Sequence, residues 1–98
     1  MGEASAGGYR IFETRSFQAD IESVPQPTRT KLRNKLQAAI YPGLRRQPHL
    51  GPAIRKLRDW KPETWRYRIG EWRLFYEIDE TERVVFLTAL HARKDSYR

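Results

Sequence analysis

Between Trp65 and Ile78 large apolar residues recur at every second position on either side of Gly70-Glu71. Trp65, Tyr67 and Ile69 interleave with Arg66 and Arg68. Trp72, Leu74, Tyr76 and Ile78 interleave with Arg73, Phe75 and Glu77. A period of two marks half-buried strands. Gly70-Glu71 between them fits a two-residue hairpin loop, because glycine at its first position accepts the positive φ of a type II′ turn. That loop fixes a register: Ile69 opposite Trp72, Arg68 opposite Arg73, Tyr67 opposite Leu74, Arg66 opposite Phe75 and Trp65 opposite Tyr76. One face of the hairpin is then aromatic and aliphatic, and the other gathers Arg66, Arg68 and Arg73.

Upstream, Tyr9 to Thr14 alternates weakly and predicts a first strand. Thr14 or Ser16 then caps a short helix reaching about Val24, with Phe17 and Ile21 on one face, and Pro25-Gln26-Pro27 breaks it. Thr28 to Tyr41 is the clearest helix: Leu32, Leu36, Ala39 and Ile40 form one stripe, and Pro42-Gly43 predicts its end. Gly43 to Pro52 reads as a loop, with Arg45 and Arg46 solvated or available to a partner and His49 at the surface. Ala53 to Trp60 predicts a strand beginning near Arg55 and pairing with the hairpin, although its spacing also permits a helical turn. Lys61-Pro62-Glu63 turns the chain back. Asp79 to Glu82 is a polar turn, and Arg83 to His91 is the most β-like run. Pairing Ile78 with Arg83 predicts Tyr76 opposite Val85, Leu74 opposite Leu87, and Phe75 meeting Phe86 as an exposed aromatic pair. Ala92 to Arg98 forms a basic tail, and Met1 to Gly8 reads as a disordered leader to a single domain over residues 9–98. The expected fold is α+β: two N-terminal helices packed on one face of a small antiparallel sheet.

Charge changes this picture more than composition does. Nineteen Lys and Arg stand against twelve Asp and Glu, a net charge of +7 over 98 residues. Such a balance favours nucleic acid, an acidic protein or an anionic surface as partner. The chain has no cysteine, which excludes disulfides and thiolate zinc sites, and its two histidines, His49 and His91, are far apart in sequence. No cofactor is implied. No apolar run approaches the roughly 18 residues of a membrane helix, so a cytoplasmic protein is expected.

Arg68 opposite Arg73 is a like-charge pair, which destabilises a sheet. A bound polyanion removes that cost; a solvated polar face is the plainer reading. Arginine forks match phosphate oxygens in two-point contacts, and an exposed aromatic ring stacks a base. These parts suit single-stranded RNA. Cleavage of RNA also needs a group that takes a proton from the 2′-hydroxyl and one that protonates the leaving 5′-oxygen. No residue with an evident tuned pKa stands out.

At Lys56-Leu57-Arg58, at Trp65 to Ile78 and at Arg93-Lys94-Asp95-Ser96-Tyr97-Arg98, the chain resembles the RelE/ParE superfamily of bacterial type II toxins, over about Tyr9 to Arg98. The resemblance implies a toxin that enters the ribosomal A site and cuts messenger RNA there. It also implies a cognate antitoxin whose C-terminal segment wraps the toxin, and operator DNA reached through that complex. Carried over by position, the catalytic set is Arg66, Arg68, Arg73, Arg93 and the base-stacking Tyr97. The RNA-binding set around it is Lys56, Arg58, Phe75, Phe86 and Lys94.

The departures are specific. The histidine usually found before the terminal arginine is Ala92, with His91 one place earlier, and the glycine that often follows Lys-Leu is Asp59. Some active relatives carry lysine where this hairpin carries arginine, which cannot lose a proton at neutral pH. A ParE-like inhibitor of DNA gyrase that cuts no RNA is therefore a competing expectation, as is a degenerate subunit that only binds an antitoxin.

Overall fold

The computed structural model describes residues 8–94. The leader expected over 1–8 and the tail residues Asp95 to Arg98, including Tyr97, fall almost entirely outside them. Five strands form one sheet: β1 (Arg10–Glu13), β2 (Ile54–Lys56), β3 (Trp65–Ile69), β4 (Trp72–Asp79) and β5 (Val84–Ala92), in spatial order β1-β5-β4-β3-β2. Four of them are antiparallel, as expected, and β1 joins β5 in parallel, so the sheet is mixed. The helices α1 (Arg15–Glu22), α2 (Thr28–Lys35) and α3 (Tyr41–Arg46) cover one face. Phe17, Ile21, Leu36 and Leu44 from the helices meet Leu74, Tyr76, Val85 and Leu87 from the sheet in a dry core. Each such side chain contributes about 1.5–3 kcal/mol on burial.

Thr14 is the residue that caps α1; its hydroxyl accepts the Phe17 N–H at 3.2 Å. The same helix deals with an unpaired sheet edge. β1 pairs with β5 only as far as Leu87. Beyond it, Thr14 donates to the Leu87 carbonyl at 2.6 Å and Ser16 donates to the Thr88 carbonyl at 2.5 Å. The Asp20 carboxylate accepts the Leu90 N–H at 2.9 Å. Open strand edges invite mispairing, and side chains of α1 occupy this one.

The second helix runs on past Pro42. Between α2 and α3 the chain makes a wider π turn over Leu36–Ile40, in which the Tyr41 N–H reaches the Leu36 carbonyl. Proline has no N–H to give and its ring crowds the carbonyl four residues back. The wide turn ahead of Pro42 lets the helix absorb both, and it continues to Arg46. The extra residue rotates the buried stripe. Leu32, Leu36 and Ile40 stay inside, Ala39 turns out to solvent, and Tyr41 and Leu44 take over. The expected helix end at Pro42-Gly43 is corrected accordingly.

The central hairpin has the predicted register at all five pairs, with Gly70 at φ +58. The strand near Arg55 also forms and pairs with β3. The β4–β5 register differs. Arg83 adopts a left-handed φ of +57 and leaves the strand, so Ile78 faces Val85 rather than Arg83, and Tyr76 faces Leu87. The same register sets Phe86 opposite Glu77, and a bulge at Phe75/Tyr76 then puts Leu90 opposite Leu74 and Ala89 opposite Phe75. The expected Phe75–Phe86 pair is therefore not made. Phe86 instead meets Phe12 edge-on at 5.6 Å. Asp59 has φ +64, a left-handed conformation that glycine adopts most easily.

Candidate nucleic-acid interface

Because the helices take the Trp65, Tyr67 and Leu74 face, the alternate residues of the same strands form the open face. Arg55 lies opposite Arg66, and Arg68 lies opposite Arg73, so three adjacent strands bring four arginines together. Arg55 was not among the residues expected there; the β2–β3 register, one pairing further out than the hairpin, is what adds it. Arg55 and Arg68 are exposed and Arg66 is half-buried.

Arg73 differs from its neighbours. It is only 3% exposed. Its guanidinium donates to the Gly70 and Trp72 carbonyls at 3.3 and 3.2 Å, both long bonds, and its Nε is buried without a hydrogen-bond partner. Among the described residues no carboxylate forms an ion pair with it. A buried charge without a counter-ion is costly.

Next along β4, Phe75 is 6% exposed, so it is not the open ring that the alternation predicts. Trp60, from the β2–β3 loop, stacks on it with ring centroids 5.8 Å apart and planes 11° from parallel. His91 meets the same phenyl ring edge-on at 5.5 Å and is the cross-strand partner of Arg73. Its Nε2 lies 3.7 Å from the Asp20 carboxylate, with the imidazole 45% exposed. His91 thus brings an imidazole to the arginine face, between Arg73 and Phe75. The expected β4–β5 register does not bring His91 opposite Arg73; the changed register and the bulge do.

The remaining expected residues scatter. Lys56 lies on the helix side of the sheet with Trp65, its ammonium 2.6 Å from Glu63 and 5.9 Å from the Trp65 ring, away from the arginines. Arg58 is exposed in the β2–β3 loop, beside an open hollow of about 560 Å³ that spans Lys56 to Glu63. Arg93 and Lys94 are exposed after β5, and the Arg93 N–H donates to the Glu71 carbonyl at 2.6 Å, which holds that end of the strand beside the hairpin turn. Phe86 is half-buried on the open face near β1. Tyr97 lies outside the described residues.

A second polar cluster sits at the opposite end of the sheet. His49 Nε2 is 2.6 Å from a Glu80 oxygen, and the Tyr9 hydroxyl donates to the other at 2.8 Å. The hydrogen bond from His49, then that from Tyr9, holds the Glu80 carboxyl below its ordinary value of 4.5, while partial burial raises the Tyr9 phenol. This cluster ties the loop after α3 to β1 and to the β4–β5 turn.

Residues 6–96 match the family model described as ParE toxin of type II toxin-antitoxin system, parDE. The chain belongs to this toxin family. Solved structures agree with the fold. The toxin–antitoxin complex RelBE2 of Mycobacterium tuberculosis aligns with a TM-score of 0.67 and 22% identity, over 88% of this chain and 99% of that one. A double mutant of the E. coli toxin RelE in the free state aligns at 0.64 and 18%, over 92% and 88%. A metal-bound toxin from Helicobacter pylori aligns at 0.65 and 18%, over 89% and 97%. Comparison with curated proteins finds no significant match. The protein is a toxin of a type II toxin–antitoxin system with a RelE/ParE-like fold.

Proposed function

We propose that this toxin is a ribosome-dependent endoribonuclease that binds messenger RNA across the arginine face and cuts it in the A site, acting in the cytoplasm. The observation that carries this reading is Arg73: a buried guanidinium with long hydrogen bonds, an unpartnered Nε and no ion pair among the described residues, facing Arg68 across the hairpin. A phosphate at this face supplies the missing counter-charge to Arg73 and removes the Arg68–Arg73 repulsion. In the transition state, fixed arginines stabilise the crowded phosphorane because their orientation is set before charge develops. His91, opposite Arg73 on the same face, is the residue that moves protons. Arg66, Arg93 and Tyr97 complete the set by resemblance. A cognate antitoxin shields the face; structures such as the RelBE2 complex, with the same fold, support that partner.

A defined message in a translating bacterial extract tests the reading, with cuts mapped by primer extension. Wild type is expected to cut within codons at the A site and to leave naked RNA intact. Arg73→Ala and the exposed-site variant Arg68→Ala are expected to lose at least tenfold in cleavage with unchanged circular dichroism. Intact message overturns the proposal. The ParE description of the matching family favours a second reading, inhibition of DNA gyrase. A supercoiling assay on the same preparation reads it, and Arg73→Ala then leaves inhibition largely unchanged.

A further inference from the structure

We propose that Trp60 is a stacking platform for one base of single-stranded RNA, the outer leaf of an aromatic stack founded on Phe75. This rests on the RNA reading above and names a contact that reading lacks. The inner leaf is fixed: Phe75 is buried, with His91 against its edge and Trp60 parallel to it. Trp60 gives one indole face to Phe75 and is still 51% exposed, which leaves the other face to solvent. A large aromatic held flat and open needs a reason, because its ordinary place is under cover.

The loop presents the ring deliberately. Asp59, directly before it, holds a left-handed φ of +64, a conformation that non-glycine residues keep where the surrounding structure enforces it. The Leu57 N–H donates to the Thr64 carbonyl at 2.9 Å and closes the loop, and the Thr64 hydroxyl donates to the Pro62 carbonyl at 2.9 Å inside it. Charge around the ring favours a phosphodiester chain. Arg58 and Lys61 are exposed in the same loop, and Arg55 and Arg66 lie on the strands on either side of it, on the face that carries Phe75. Of the nearby carboxylates, Glu63 is taken up by Lys56 and Asp59 is exposed. Stacking on an aromatic platform tolerates any base, while neighbouring cations track the backbone. The plainer role for Trp60 is a lid that only keeps water from Phe75.

Fluorescence anisotropy with a labelled adenine RNA hexamer separates the two, using wild type, Trp60→Ala and Trp60→Phe, and the same hexamer with an abasic site introduced at each position in turn. Trp60→Ala is expected to bind roughly tenfold more weakly, and Trp60→Phe within about threefold of wild type, because a phenyl ring also stacks. At one position the abasic site is expected to weaken wild type and leave Trp60→Ala unchanged, which a lid does not produce. Equal binding by wild type and Trp60→Ala overturns the proposal, as does equal abasic loss in both or no binding by wild type. Cleavage measured in parallel keeps the two readings apart. Trp60-dependent binding with intact message sinks the nuclease and leaves the platform standing. Cleavage without Trp60-dependent binding does the reverse.

Discussion

Arg68 and Arg73 face each other across the hairpin at cross-strand distance, where like charges oppose folding. Replacing the exposed partner is expected to relieve the strain. Arg68→Thr should raise stability by about 0.2–1 kcal/mol at low salt, with the gain shrinking as salt screens the pair. Chemical denaturation at two ionic strengths measures it, and a loss of stability at low salt would show that the pair is not repulsive. Glu80 makes the opposite kind of contribution. Its carboxyl is held below its ordinary 4.5 by the bonds from His49 and Tyr9. A depressed carboxylate stabilises the fold above its unfolded pKa, and that stability is lost as pH falls through the lower folded value. Glu80→Gln is expected to melt below wild type at pH 7, with the gap closing on acidification below about 4.5. Thermal melts from pH 7 to pH 3 test this, and a gap that stays constant would rule it out.

Elements here are tied together by a few buried polar contacts as well as by the core. The Tyr76 hydroxyl, in the centre of β4, donates at 2.7 Å to the Pro48 carbonyl in the loop after α3. Tyr76→Phe keeps the packing and strands that carbonyl in a dry site, so a loss of about 1–3 kcal/mol is expected in urea unfolding. Asp20 plays the matching part on the other side, where it covers the Leu90 N–H at the open end of β5. Asp20→Ala uncovers that edge and is expected to cost about 1 kcal/mol and to increase self-association, read by light scattering at matched concentration. A variant that stays monomeric to high concentration would mean that Thr14 and Ser16 protect the edge without it.

Across the whole molecule, an excess of cations on one face should appear as salt-dependent RNA affinity. With about three arginines on phosphates and roughly 0.7 counterions released per contact on a single strand, the logarithm of the affinity should fall with that of salt with a slope near −2. Anisotropy titrations from low to moderate salt measure the slope, and a slope near zero would mean that the arginines are not the contact surface. The net charge of +7 alone does not set this number, because Arg29 and Arg33 are engaged by Glu22 and Glu13 on the helix side.

Local pattern alone determined the hairpin, its register and the arginine face, because alternation and a two-residue glycine loop leave one pairing that puts Trp65, Tyr67, Ile69, Trp72, Leu74, Tyr76 and Ile78 on one face. Short-range signals also narrowed the α1 cap to Thr14 or Ser16 and marked Leu32, Leu36 and Ile40 as a buried stripe, while the spacing around Arg55 fitted a strand or a helical turn and the pairing with β3 decided it. Tertiary structure decided the rest. The helix runs through Pro42 because a π turn absorbs the missing bond. The β4–β5 register moves because Arg83 turns left-handed and a bulge follows. Most consequentially, Trp60 covers Phe75 and Arg73 sinks below the surface it was expected to line. These outcomes depend on which loop lies over which strand, and residues 15 or more apart in sequence carry no periodic signal of one another.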